Sequence, residues 1–122
     1  MRVIDSVSGF DNDVASAEAT VSADNPFVEN GVLDSVAFAE MIAQAFAGCK
    51  GLDDSVSGAP PRKGMLVAMK TLEVTGTAKV GDALVIELTK TGEFESFAMV
   101  DGNVQKDGEM IASASLRVWL EA

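Results

Sequence analysis

At 122 residues with 48% hydrophobic side chains, the chain can bury one real core, and it reads as a single globular domain over residues 1–122. Its 19 acidic residues against 9 basic ones leave a formal net charge of −10, which argues against nucleic acid and anionic membrane surfaces as partners, since both call for basic patches. One Cys allows no internal disulfide and fits a reducing cytoplasm, and with no His neither a zinc site nor a Ser-His-Asp triad can be built from these residues alone.

Met1 to Val7 sets Val3 and Val7 in a short β pattern, without the charged-then-apolar profile of a signal peptide. Gly9 to Asp13 reads as the turn that follows. From Val14 to Ser22, Ala15, Ala17, Ala19 and Val21 alternate with polar residues, the period of two of a half-buried strand. Asp24, Asn25 and Pro26 break it, because Pro cannot sit in a central strand. Gly31, preceded by Asn30, is then expected to open a helix, with either Asn30 or Asp34 as its cap. The helix is expected over Val32–Ala47, with Gly48 as its stop. It is apolar on nearly every side, so it should be buried on every face as a central helix, roughly 24 Å long at about 1.5 Å per residue. No apolar run reaches membrane-spanning length.

Cys49 to Lys63 carries Gly, Ser, Asp and a Pro60-Pro61 pair and reads as a loop at the mouth of any cleft. Four strands follow, over Met65–Thr75, Ala83–Thr91, Phe94–Lys106 and Glu109–Leu120. Their turns are expected at Lys79–Asp82, Thr91–Glu93 and Lys106–Glu109, the last holding Asp107-Gly108, a strong hairpin signal. Two strands, a buried helix and four antiparallel strands predict an α+β fold, a curled antiparallel sheet of about six strands wrapped around one long helix. An edge of that sheet, helped by Phe97 and Met99, is expected to pair with a second copy.

Glu40 and Gln44 stand out within the helix. At i and i+4 they share a face, and a carboxylate among Ala39, Met41, Ile42 and Ala43 is costly to leave dry. Either this is a solvated notch or a partnered group, or it is a catalytic carboxylate whose proton affinity is raised by desolvation. Cys49, with no His to activate it, reads as a small packed residue rather than a nucleophile. Met41, Met65, Met69, Met99 and Met110 read as core, with the lining of an apolar tunnel as the other reading.

These residues also carry a resemblance. E-x-x-A-Q (Glu40 to Gln44), preceded by N-P-F (Asn25 to Phe27) and G-V-L (Gly31 to Leu33), resembles the hotdog-fold β-hydroxyacyl-acyl-carrier-protein dehydratases. V-G-D (Val80 to Asp82) is similar to their P-G-D turn, and V-D-G-N-V-Q-K-D-G-E (Val100 to Glu109) with A-S-A-S-L (Ala112 to Leu116) to their last two strands. M-R-V-I-D-S-V at the start is similar to their opening strand. The short segment between Pro26 and Glu40 is similar in particular to the dehydratase-like proteins of aryl-polyene gene clusters.

The resemblance implies a hotdog fold and a 3-hydroxyacyl-thioester dehydratase-like function, a lyase of fatty acid or polyene biosynthesis acting on an acyl carrier protein or CoA thioester. No metal or other cofactor is implied. A His would remove the α proton, a helix Glu would protonate the leaving hydroxyl, and a backbone N–H at the helix N-terminus would polarise the thioester carbonyl. Glu40 matches the Glu, with Gln44 orienting it, and Gly31 with Val32 matches the amide donor. Arg62 and Lys63 could meet a phosphopantetheine phosphate, a solvated basic pair being the equal reading. The overall acidity opposes docking of an acidic carrier.

No residue matches the His: where the standard enzymes have G-H-F-P, this chain has Val28, Glu29 and Asn30. In the aryl-polyene-type relatives a His precedes the first strand in an L-P-H-x-x-P-M pattern, whose Met would align with Met1. Three readings stay open: a sequence that starts late, a non-catalytic acyl-binding or partner subunit, or, in place of a homodimer, a heterodimer in which a related hotdog subunit supplies the base. A thioesterase in which Glu40 activates water or attacks the carbonyl is a further alternative.

Overall fold

A computed structural model of the chain describes residues 4–57, 64–94 and 97–121. In chain order the elements are β1 (Ser6–Val7), β2 (Val14–Thr20), β3 (Val28–Glu29), β4 (Val32–Leu33), α1 (Val36–Ser57), β5 (Gly64–Val74), β6 (Ala83–Glu93), β7 (Phe97–Lys106) and β8 (Glu109–Glu121). Six strands make one antiparallel sheet in the order β1-β2-β6-β7-β8-β5, and β3 and β4 form a separate hairpin.

Period two decides which side chains meet the helix. Ala15, Ala17 and Ala19 of β2, Leu84, Ile86 and Leu88 of β6, and Val100 and Val104 of β7 all point inward and are buried, while their sequence neighbours face out. Opposite them α1 buries Ala37, Phe38, Met41, Ile42, Ala45, Phe46 and Cys49, the spacing of one helical face. Phe38, Met41 and Ile42 are among the largest fully buried side chains, each stabilising the fold by about 1.5–3 kcal/mol relative to exposure. Gly102 makes the contact close: a Cβ there would stand 2.7 Å from Ile42 Cγ2.

The helix differs from its expected form at both ends. Val32 and Leu33 are strand, not helix, because Asn30 and Gly31 both take positive φ (54° and 78°) and close a two-residue hairpin between β3 and β4. Asn-Gly at those dihedrals is a type I′ turn, whose twist suits antiparallel strands. The hairpin is fixed by Leu33 N–H to Ala78 O at 2.8 Å and Val80 N–H to Gly31 O at 3.0 Å. Asp34 then caps α1, its Oδ1 accepting the Val36 N–H at 2.9 Å.

At the other end Gly48 does not stop the helix. It lies inside α1 with φ in the helical range, and its missing Cβ is a packing feature, since one built there would stand 2.8 Å from Val7 Cγ1. Cys49 to Ser57, expected as loop, continue the helix; residues 58–63 of that expected loop lie outside the described residues.

Nor is the helix buried on every face by this chain. Val36 is 59% exposed. Ala47 and Gly51 are exposed, and Ala39, Glu40, Ala43 and Gln44 are half-buried. One apolar face is thus left uncovered.

Three smaller differences concern the sheet. Thr91–Glu93, expected as a turn, belongs to β6, whose pairing with β7 shifts register between Lys90 and Gly92, the mark of a bulge. Accordingly β7 starts at Phe97 rather than Phe94, and the Phe94 N–H bonds Phe97 O at 2.8 Å across the connection. Phe97 and Met99 lie on an interior strand, not at an edge, since the edges of the sheet are β1 and β5. Met99 and Met110, expected in the core, are 37% and 54% exposed. Met41 is fully buried and Met69 packs against the core.

Candidate active site

Glu40 and Gln44 come together as their spacing requires. The Gln44 Nε2 donates to Glu40 Oε1 at 2.8 Å, across one turn of α1, on the half-buried face that the sheet leaves open. The interaction fixes one carboxyl oxygen and leaves the other for a ligand or a partner, which is the arrangement a positioned acid or nucleophile needs.

Gln44 also opens onto a cavity of about 470 Å³. Ile4, Asp5, Ser6 and Val7 form one wall, and Gln44, Ala47 and Gly48 form the other. The Asp5 carboxylate accepts the Thr20 N–H at 2.7 Å, which turns that charge to the backbone of β2. So the Glu40 carboxylate, on the helix face that the sheet leaves open, is one hydrogen bond away from a cavity whose walls set Ile4, Val7 and Ala47 beside the polar Asp5 and Ser6. The sequence reading did not find the β1 wall. Val7 was visible as strand, but nothing in a period of two says which helix turn a strand will face.

The other expected site residues are placed differently. Gly31 and Val32 sit in the β3–β4 hairpin, separated from the first helical residue by Leu33, Asp34 and Ser35, so they do not form the N-terminus of α1 as expected. The physical reason is the type I′ turn, which takes up Asn30-Gly31 before the helix begins. Arg62 and Lys63 lie outside the described residues. Cys49 is fully buried with Sγ 3.6 Å from Ser16 O, a packed side chain beneath β2. Among the described residues no group of three or more His, Cys, Asp or Glu side chains is arranged to hold a metal ion, and no helix is long and apolar enough to cross a membrane.

A family model described as ApeP-like, ApeP dehydratase, matches residues 1–121. The chain belongs to the ApeP-like family. Solved structures agree on the fold of this ApeP-like chain, which is a hotdog: one helix against a six-stranded antiparallel sheet. The dehydratase heterocomplex ApeI:P from Xenorhabdus doucetiae superposes with a TM-score of 0.86 at 18% identity, covering 99% of this chain and 84% of that one. The Escherichia coli PaaI protein from the phenylacetic acid degradation operon gives a TM-score of 0.75 at 14% identity, over 98% and 80% of the two chains. A hypothetical thioesterase protein from Streptococcus pneumoniae TIGR4 gives 0.69 at 12% identity, over 94% and 88%. No curated protein matches the ApeP-like chain in sequence. Family and fold together make it a dehydratase-like hotdog protein.

Proposed function

We propose that this chain is one subunit of a 3-hydroxyacyl-thioester dehydratase, acting on an acyl group carried by a carrier protein or CoA, with Glu40 as its acid and with the base drawn from a related hotdog subunit. The observation that carries the reading is the Gln44-anchored Glu40 carboxyl on an uncovered apolar helix face, beside a cavity. The sequence holds no His, so the base comes from outside these residues, and the heterocomplex among the solved neighbours favours a partner chain as its source.

In the reaction the partner's base takes the α proton of the 3-hydroxyacyl thioester. The electrons of that C–H bond form the Cα=Cβ bond as the Cβ–O bond breaks. Glu40, as the acid, delivers a proton to the departing hydroxyl, so that water and a 2-enoyl thioester leave. The acid must be held in line with the C–O bond, and the Gln44 hydrogen bond supplies that orientation. Arg62 and Lys63 remain proposed contacts for a phosphopantetheine phosphate. Gly31 and Val32 are hairpin residues, and we assign them no part in polarising the carbonyl.

A second reading is a thioesterase in which Glu40 activates water or attacks the carbonyl; the hypothetical thioesterase among the neighbours favours it. The two separate on product. The purified chain alone should leave 3-hydroxyacyl thioesters intact, whereas its complex with a His-bearing hotdog subunit should form the 2-enoyl product, seen by its absorbance. Release of free thiol in place of enoyl product supports the thioesterase. Dehydration by the chain alone would remove the borrowed base.

A further inference from the structure

A dehydration needs its acid and its base on either side of one C–C bond, the acid at the hydroxyl on Cβ and the base at the Cα–H. Each must stand within hydrogen-bond reach, about 2.6–3.2 Å, of the group it serves. With Glu40 as the acid, anchored by Gln44 on the α1 side of the cavity, the base comes to the facing wall, which is Ile4 to Val7.

That wall carries a charge. Among the described residues that line the cavity, Asp5 is the one titratable group. It is exposed, yet two bonds to β2 and its neighbour hold it: Oδ2 accepts the Thr20 N–H at 2.7 Å, and the Asp5 backbone N–H donates to Glu18 O at 2.8 Å. The carboxylate is thus fixed to the sheet. A carboxylate accepts at about four positions over its two oxygens, so the bond from Thr20 is compatible with a further N–H donor. The cavity also borders the side from which a partner arrives, since the exposed Ala47 lines it and belongs to the uncovered apolar face of α1.

We infer that Asp5 is the positioning residue of the base: it accepts one N–H of the imidazole that a partner hotdog subunit brings to this wall, and so turns the other ring nitrogen to the α proton. The inference rests on the reading of Glu40 as the acid and of the base as borrowed. In the step, that nitrogen bonds the α proton, the C–H electrons become the Cα=Cβ bond, and the C–O electrons leave with the hydroxyl, which takes the proton from Glu40. The imidazolium so formed lies beside the Asp5 carboxylate, whose opposite charge favours it. The same contact decides which ring nitrogen carries the proton beforehand, leaving the one that faces the substrate free to act.

The test uses the complex of this chain with a His-bearing hotdog subunit and compares wild type with Asp5→Asn on a 3-hydroxyacyl thioester carrying hydrogen or deuterium at Cα. Asn keeps an oxygen for the Thr20 N–H, so Tm should hold, but it lacks the charge. The expected result is a fall in kcat of about 10- to 100-fold, the loss typical of removing a hydrogen-bonded group that orients a His. KM should change little, and the isotope effect on kcat should rise, because the change weakens proton removal alone. Asp5→Glu, which restores the charge on a longer arm, should recover part of the loss. An unchanged kcat and isotope effect in Asp5→Asn overturn the role of Asp5 and leave Glu40 as the acid. A fall in kcat that comes with a lowered Tm, an unchanged isotope effect and no recovery in Asp5→Glu marks a merely structural carboxylate and overturns the role equally. No dehydration by the wild-type complex overturns the functional reading itself, and the role of Asp5 with it.

Discussion

Replacing Gly102 by Ala places a methyl group where β7 and α1 are closest. The new Cβ would stand 2.7 Å from Ile42 Cγ2 and 3.2 Å from Leu88 Cδ2. Both side chains are fully buried, so neither yields without moving its own neighbours. Overpacking of this kind costs about 1–3 kcal/mol, whereas removing a glycine from the unfolded chain returns about 0.4–1 kcal/mol. The net loss is about 1–2 kcal/mol, which for a domain of this size lowers Tm by roughly 4–10 °C. Scanning calorimetry measures it directly. Ile42→Leu removes the branch that clashes, so the double variant G102A/I42L should lose less than the two single changes summed, by at least about 0.5 kcal/mol, the coupling expected of contacting residues. An unchanged or higher Tm in G102A, or strict additivity in the double variant, would show that the sheet does not press on the helix at Ile42. The point matters for chemistry because Ile42 is in the same helical turn as Glu40, and a displaced Ile42 moves the acid.

Gly31→Ala forces a Cβ into φ +78°, at a cost of about 1–2 kcal/mol, so its Tm should fall by several degrees; an unshifted melt would discount the type I′ turn. Asp34→Ala removes the acceptor for the Val36 N–H and should cost about 1 kcal/mol in denaturant unfolding, with an unchanged midpoint counting against the cap. The uncovered apolar face of α1, with Val36 59% exposed, should be covered by a second hotdog chain. Sedimentation at micromolar concentration should therefore show a dimer of this chain or, on mixing, a heterodimer, and monomer under both conditions would remove the partner from the proposal.

What could be read from the sequence follows from how each element is stabilised. The strands β6 to β8 each meet the helix on one face and water on the other, so their alternation survives in sequence, and Asp107-Gly108, at φ 53° and 79°, marks its hairpin plainly. Asn30-Gly31 carries the same signal but reads as a helix start, because the strands it joins are two residues each and too short to show a period. Glycine ends many helices, yet Gly48 lies within α1 because of the close approach of Val7, a contact between residues far apart in the chain. The bulge at Lys90–Gly92 hid in the same way, since a bulge keeps a strand going through residues that look like a turn. Within the site, the Glu40–Gln44 pair was visible because i and i+4 are local. The wall from Ile4 to Val7 was not, because it is made by tertiary packing.

The most direct measurement is turnover of a 3-hydroxyacyl thioester by the assembled hotdog complex carrying Glu40→Gln. Gln keeps an acceptor for the Gln44 Nε2, so the hydrogen bond now 2.8 Å long and the fold should both persist, with Tm held. What it lacks is a proton to give the departing hydroxyl, and a general acid is worth about 10²–10⁴ in rate. The expected result is a fall in kcat of that size with thioester binding retained. A variant that forms the 2-enoyl product at the wild-type rate would contradict the assignment of Glu40 as the acid.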